Sequence, residues 1–320
     1  EVRSSGSLML DLALGGGYPK GRIIELSGRE KAGKTTLFNL AVAEAQIAEP
    51  DKENIIIDLE HTYNTVWANK LGVDVNRLLI SQPDTYAEKV YDYIEYLINT
   101  GKFAYICVDS ISGFVPKEEF EEDDWNKDSR FGGTSKLNAR AMRKLVNSGL
   151  LRKSGTTLIF INQLRDKIGG FSLYGTPTTT SGGRAIKHAY TQQLEVSPGE
   201  QFAKGQGENK EVLGQQIKIR VAKNKIAAPF RTASIDLYFA TGVDRITELV
   251  KVAKELGILQ GTSWLKLIDP MTGEIQMDES GNELKFNGIA RTVEALREDI
   301  NNNGELFAKL FGFVNDVIRG

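Results

Sequence analysis

Nine consecutive residues constrain this chain more than any others. "GREKAGKTT", residues 28–36, fits the pattern G-x-x-x-x-G-K-[ST], follows the β-rich run "RIIELS" and precedes the helical "TTLFNLAVAEAQ". A glycine-rich turn between a strand and a helix wraps backbone N–H groups around phosphate, at a helix end that already favours negative charge. Gly28 and Gly33 allow the curl, Lys34 is placed to hold β- and γ-phosphates, and Thr35 is placed to ligate Mg²⁺. The whole loop, Arg29, Glu30, Lys31, Ala32 and Thr36 included, is therefore expected to bind ATP.

A strand that feeds such a loop belongs in a parallel sheet, and the following sequence supplies one. "RIIELSG", "NIIIDLE", "RLLISQP", "AYICVDS" and "TTLIFINQ" alternate with helix-length segments, the rhythm of βα units whose strands are buried on both faces. In "TYAEKVYDYIEYLINTG", Val90, Ile94, Leu97 and Ile98 mark one helical face and Gly101 ends it. The predicted fold is α/β with a mainly parallel central sheet over residues 1–243, followed by a small α+β C-terminal domain over 244–320. With 41% hydrophobic residues among 320, the chain supplies both cores. "SPGEQFAKGQGENKEVLG", residues 197–214, reads as a flexible connection between antiparallel strands. Stretches 121–135 and 164–184 read as long loops, and long loops inside compact domains are usually functional or disordered.

Composition removes several classes. The formal net charge of −2 gives no overall basic field, so any contact with nucleic acid must come from local patches. The single cysteine, Cys107, lies in an apolar run and excludes a disulfide framework or a Cys-based metal site. No run of about 18 apolar residues exists, so no membrane is expected and the cytoplasm is the expected location.

Other candidates cluster at strand ends, where ligands bind in open α/β sheets. Asp109 ends "AYICVD" and is placed to hold Mg²⁺ through water; the alternative is that Asp109 or Ser110 caps a helix. Strand alternation would point Asp58 and Glu60 to one side, and Glu60, nearer the edge, is the candidate base for a water in line with the γ-phosphate. His61 reads as structural. Asn162 and Gln163 put amides between the phosphate site and the second long loop, where an amide that changes partner on γ-phosphate loss would order or release that loop. That loop combines Arg165, Lys167 and Arg184 with Gly169, Gly170, Gly182, Gly183, Phe171 and Tyr174, which suits single-stranded nucleic acid or an ordinary mobile loop. In "SKLNARAMRKLV", Lys136, Arg140 and Arg143 or Lys144 share a helix face, for phosphate or for solvent. Lys223 and Lys225, in "VAKNKIAAPFR", would by themselves read as a solvated turn.

With these residues laid out, the chain resembles the bacterial RecA recombinase family over nearly its whole length. The resemblance rests on "SSGSLMLDLALGGGYPKGRIIELSGREKAGKTT", "IIDLEHTYNTVWANKLGVD", "VDSISGFVPKEE", "LIFINQLRDKIG", "TTTSGGRAIK" and "VAKNKIAAPF". It implies an ATP- and Mg²⁺-dependent ATPase that forms a helical filament on single-stranded DNA and exchanges strands with a homologous duplex. It also implies residue roles. Lys223 and Lys225 would reach the ATP of the neighbouring protomer, Glu60 would be the catalytic base, and Gln163 the nucleotide sensor. Asn64, Trp67 and Phe239 would lie beside the adenine, and Lys187 at the subunit interface. The two long loops become DNA-binding loops with Lys136, Arg143, Arg165, Gly182 and Gly183 at matching positions. A RecA-fold ring helicase is the alternative, disfavoured by "KNKIAAPF" and the paired loops. The departures are Arg29 and Lys31 where the family has uncharged residues, a longer second loop, and His188 in place of an aromatic residue. The family's N-terminal helix and strand, and its acidic tail, are expected to be missing.

Overall fold

The computed structural model describes residues 1–122, 133–166, 178–180, 185–205 and 210–320. The chain opens with β1 (Val2–Arg3), α1 (Leu8–Leu14) and β2 (Tyr18–Pro19), then β3 (Ile23–Gly28) and α2 (Lys34–Ala48). Next come β4 (Glu53–Asp58), α3 (Thr65–Lys70), β5 (Leu78–Ser81), α4 (Ala87–Thr100), β6 (Phe103–Asp109) and α5 (Lys117–Phe120). They are followed by α6 (Gly133–Asn147), α7 (Leu150–Ser154), β7 (Thr157–Asp166), β8 (Thr178–Thr180), β9 (Gln192–Lys204), β10 (Glu211–Asn224), β11 (Thr232–Tyr238) and β12 (Gly242–Val243). The C-terminal part holds α8 (Arg245–Glu255), β13 (Leu259–Gln260), β14 (Trp264–Leu267), β15 (Lys285–Asn287), α9 (Gly288–Asn302) and α10 (Glu305–Arg319).

The central sheet runs β12-β11-β10-β9-β3-β7-β6-β4-β5. From β9 to β5 every neighbouring pair is parallel, whereas β10, β11 and β12 continue the sheet antiparallel. This is the predicted α/β class. β3 is buried along its whole length: Ile24 and Leu26 enter one core while Ile23 enters the core on the other face, the two-sided burial of a parallel strand. α4 carries its predicted face inward, with Val90, Ile94, Leu97 and Ile98 buried, and stops at Gly101 in the left-handed conformation at φ 66°. A third core joins Leu249, Val252, Leu265, Leu296 and Val314 of the C-terminal part, and Leu8, Met9 and Leu12 of α1 pack against it.

Three local expectations give way. The expected loops 121–135 and 164–184 are shorter than read, because α6 already starts at Gly133 and β7 runs on to Asp166, where it pairs antiparallel with β8. Residues 197–214 are mostly not a loop: β9 continues to Lys204 and β10 starts at Glu211, so the antiparallel pair extends through the segment. Pro198, Gly199 and Gly214 mimic a turn in composition, but cross-strand pairing overrides that signal. β4 stops at Asp58, so strand alternation does not aim Glu60. Asp58 instead accepts hydrogen bonds from the Tyr63 backbone at 3.0 Å and the Gln82 amide at 2.9 Å, while Glu60 turns to other partners.

Candidate active site

The site is built on the C-terminal ends of β3, β4, β6 and β7. Where β3 ends, a Cβ at Gly28 would stand 2.3 Å from the Val196 carbonyl oxygen, so the strand has room for glycine alone. The loop then passes through Lys31 at φ 57° and Gly33 at φ 102° before α2 begins at Lys34. Any side chain at Gly33 would meet both a left-handed backbone and Ile217, 2.7 Å from its Cβ. Nine residues thus turn the α2 N–H groups toward the space above the sheet.

Lys34 is buried and its Nζ donates to the carbonyls of Gly28 at 3.0 Å and Arg29 at 2.7 Å. Burial lowers its pKa, against the pull of Asp109, Glu60 and Glu30. The next residue, Thr35, donates through Oγ1 to Asp109 Oδ2 at 2.9 Å. Burial pushes the Asp109 carboxyl up to about 6; the Thr35 hydrogen bond and Lys34 oppose this, and the charges of Glu60 and Asp58 reinforce it. A hydroxyl and a carboxylate held together beside a phosphate loop are the hard oxygen donors that Mg²⁺ takes. The alternative for Asp109, a helix cap, is not what its side chain does here.

Glu60 is gripped from two other strands' ends. Its Oε1 accepts from the Gln163 amide at 2.7 Å, level with Gly28 in β7, and from the Ser110 hydroxyl, just past β6. Ser110 is a partner that sequence reading assigned only as an alternative cap; no local signal ties it to a residue 50 positions away. Beside the loop, Lys31 to Thr36, Trp67, Gln215, Leu237 and Phe239 line a cleft of about 560 Å³. The Trp67 indole N–H donates to Thr36 Oγ1 at 3.2 Å, which fixes the ring against the cleft wall. Asn64 lies outside that wall and caps α3, its Oδ1 accepting from the Trp67 backbone at 2.9 Å. Gln215 was not foreseen, since nothing in an alternating strand marks one amide as facing a ligand.

The lysine pair stands elsewhere. Lys223 is paired with Gln193, which is level with Glu25, whereas Gly28 is level with Val196. Three residues of strand, roughly 10 Å, separate the lysines' level from the phosphate loop's, and they leave the opposite edge of the sheet. Within one copy, Lys223 and Lys225 are therefore not brought to the phosphate loop. Their ammonium groups donate to the carbonyls of Lys187 at 2.5 Å and His188 at 3.0 Å. Burial, and then the neighbouring Lys225, lowers the Lys223 pKa. Between the two ends lies a buried carboxylate that sequence reading passed over. Glu25 accepts from Asn162 at 2.8 Å and Gln193 at 2.7 Å, and burial raises its pKa.

Of the expected DNA-binding residues, Lys136 and Arg143 are exposed on α6, with Asn138, Met142 and Leu145 turned inward. Lys144 is tied to Glu95. The backbone of Arg165 pairs with Thr179. Lys167, Gly182 and Gly183, with Phe171, Tyr174 and Arg184, lie outside the described residues. Among the described residues no helix is long and apolar enough to cross a membrane.

A phosphate loop after the first strand of a parallel sheet, an acidic strand end behind it and a carboxylate held over it define an ATPase of the phosphate-loop class. The RecA N-terminal domain matches residues 1–244. Protein RecA of Bacillus subtilis (strain 168) is 43% identical over 272 residues, covering 84% of this chain and 74% of that protein. Protein RecA of Bacillus thuringiensis (strain Al Hakam) is 43% identical over 273 residues, covering 85% and 76%. The chain belongs to the RecA family, and is a recombinase and DNA-dependent ATPase. No feature favours the ring-helicase alternative.

Proposed function

We propose that this recombinase binds ATP with Mg²⁺ in the cleft beside its phosphate loop, and assembles head to tail into a helical filament on single-stranded DNA. The filament then pairs that strand with a homologous duplex, in the cytoplasm. The ATPase core is residues 1–243, and 244–320 form the smaller domain. The observation that carries this reading is the Glu60 carboxylate held by Gln163 and Ser110 beside the Thr35–Asp109 pair, with Lys223 and Lys225 at the opposite edge.

In this reading the backbone of residues 28–36 cradles the phosphates, and Lys34 exchanges its bonds to Gly28 and Arg29 for phosphate oxygens. Thr35 and, through water, Asp109 would hold Mg²⁺, which when bound neutralises charge on the β- and γ-phosphates. Glu60 accepts the proton of the water that attacks the γ-phosphate, and Ser110 and Gln163 orient its carboxylate. Trp67 and Phe239 flank the base, and Asn64 fixes the helix that carries Trp67. Gln163 senses nucleotide through its bond to Glu60 and passes the signal along β7 into the second loop. Lys136, Arg143, Arg165, Lys167, Gly182 and Gly183 contact DNA. Lys223 and Lys225 complete the site of the next copy, because their own phosphate loop lies at the other end of the sheet.

The test is the ATP hydrolysis rate with and without single-stranded DNA, for the native chain and for Lys223→Ala/Lys225→Ala. Stimulation of the native chain, together with a double variant that binds ATP and does not turn it over, is the expected result. Turnover that survives loss of both lysines would remove the shared site.

A further inference from the structure

We propose that Glu25 is a positioning residue of the ATPase: by gripping the amides of Asn162 and Gln193 it joins the lysine-bearing row of the sheet to the strand that leads into the second loop. Nucleotide contacted by Lys223 and DNA held by the second loop then strengthen one another's binding through it. This rests on the reading that the ATP site is completed between copies.

Glu25 stands in the middle of β3 and is 1% exposed. Both of its oxygens are occupied, Oε1 by the Asn162 amide at 2.8 Å and Oε2 by the Gln193 amide at 2.7 Å. The two donors come from the strands on either side, β7 and β9, and lie 137 and 168 positions away in the chain. Burying a carboxylate is costly, and hydrogen bonds to it are short and strong, so the pair of amides ties three strands at one point. An apolar residue fills such a place at less cost, as Ile23 does on the same face of the strand.

Each donor leads to one of the two places the ATPase must connect. Gln193 is level with Glu25 and is itself paired with Lys223, so the three form one row across β3, β9 and β10. The register shifts by one residue between Val221 and Lys223, an irregularity of the kind that re-aims a side chain beside a site. Burial and Lys225 lower the Lys223 pKa, and the Glu25 charge acts to raise it, so the two groups feel one another along the row. On the other side, Asn162 is followed at once by Gln163, which donates to Glu60 at 2.7 Å, and β7 then runs through Arg165 to Asp166. Turning the Asn162 amide therefore moves the part of β7 that carries both the partner of Glu60 and the start of the second loop.

A coupling element needs a second arrangement, and Tyr190 supplies it. Its ring is buried, its hydroxyl has no hydrogen-bond partner among the described residues, and its pKa is raised by burial and then by the Glu25 charge. Tyr190 follows the segment whose Lys187 and His188 carbonyls hold the ammonium groups of Lys223 and Lys225. Lysines that leave those carbonyls for a phosphate release that segment and take positive charge away from Glu25. The Tyr190 hydroxyl then becomes a donor to Glu25, and the Asn162 amide is free to turn.

The experiment is a donor–acceptor swap on the full chain, read as the factor by which a slowly hydrolysed ATP analogue tightens binding of a fluorescent single strand of DNA at fixed salt. A loss of folded protein weakens binding with and without the analogue alike and does not move that factor. Glu25→Gln sets an N–H against an amide donor, Asn162→Asp sets a second carboxylate against Glu25, and each is expected to lower the factor about tenfold. Together they restore both bonds, one with its direction reversed, and should recover the factor to within about threefold of the parent. Lys223→Ala should lower the factor as well, and adding Glu25→Gln to it should lower it no further. Should either buried variant fail to fold, Gln193→Leu removes one donor at a partly exposed position and must lower the factor too. Single variants that keep the parent's factor, a swap that recovers nothing, or a Glu25→Gln effect undiminished beside Lys223→Ala each overturn the proposal. ATP turnover of Lys223→Ala/Lys225→Ala in parallel tests the shared site by itself. Lost turnover with unmoved factors leaves the shared site standing and overturns the role of Glu25. Retained turnover removes the shared site, and with it the lysine end of the coupling, whatever the Glu25 variants do.

Discussion

Asp11 makes this protein's stability depend on pH in a way that one substitution can isolate. Its side chain is 1% exposed in α1, accepting from the Ser4 hydroxyl at 2.5 Å and the Ser5 backbone at 2.7 Å. Burial pushes its carboxyl from 3.8 up to about 7, although the bonds from Ser4 and Ser5 and the charge of Arg319 oppose the rise. A carboxyl that holds its proton more tightly when folded contributes stability that is fully present below pH 3.8 and is lost as pH rises through about 7. Three pH units at 1.36 kcal/mol each set the whole loss at about 4 kcal/mol, of which about 3 kcal/mol falls between pH 5 and 8. Asp11→Asn keeps the shape and an acceptor but cannot ionise. Urea unfolding of parent and variant at pH 5 and pH 8 measures the effect, and the variant should gain about 3 kcal/mol on the parent between the two. Glu248 and Glu25, also raised by burial, are common to both proteins and cancel. A difference that stays constant within about 0.5 kcal/mol across that range would refute the reasoning, because it would mean that Asp11 ionises as easily folded as unfolded.

Other outcomes follow from the same geometry. Glu60→Gln keeps the acceptor for Gln163 and Ser110 but not the base, so kcat for ATP should fall about 10²- to 10⁴-fold with KM little changed; a KM shift of the same size would assign Glu60 to binding. Gly33→Ala puts a Cβ 2.7 Å from Ile217 at φ 102°, and should abolish binding of a fluorescent ATP analogue while the far-UV spectrum is kept. Arg3→Ala removes two bonds to Glu49, at 2.6 and 3.0 Å, and one to the Gly155 carbonyl at 2.7 Å, and should cost about 3 kcal/mol in urea unfolding. Gln163→Ala frees Glu60 of one partner and should reduce the stimulation of ATP turnover by single-stranded DNA more than the unstimulated rate.

What the sequence determined by itself is whatever depends on neighbours in the chain. Nine residues between a strand and a helix specify the phosphate loop, because left-handed turns, N–H direction and helix start are all local. Continuous apolar runs specify a parallel sheet buried on both faces, and the spacing from Val90 to Gly101 specifies α4 and its end. The tertiary structure alone decided which strand ends meet. Glu60, Ser110 and Gln163 converge from β4, β6 and β7 across 103 positions, through a strand order that no local pattern encodes. It also decided that Lys223 and Lys225 leave the sheet at the edge away from their own phosphate loop, which makes a shared site geometrically sensible. Nothing local in the sequence singles out Asp11, Glu25 and Glu248; packing buried them, and charge is costly wherever water has been excluded. Residues 197–214 show the same limit in backbone form, since glycine and proline speak for a turn until a paired strand supplies partners for the N–H and C=O groups.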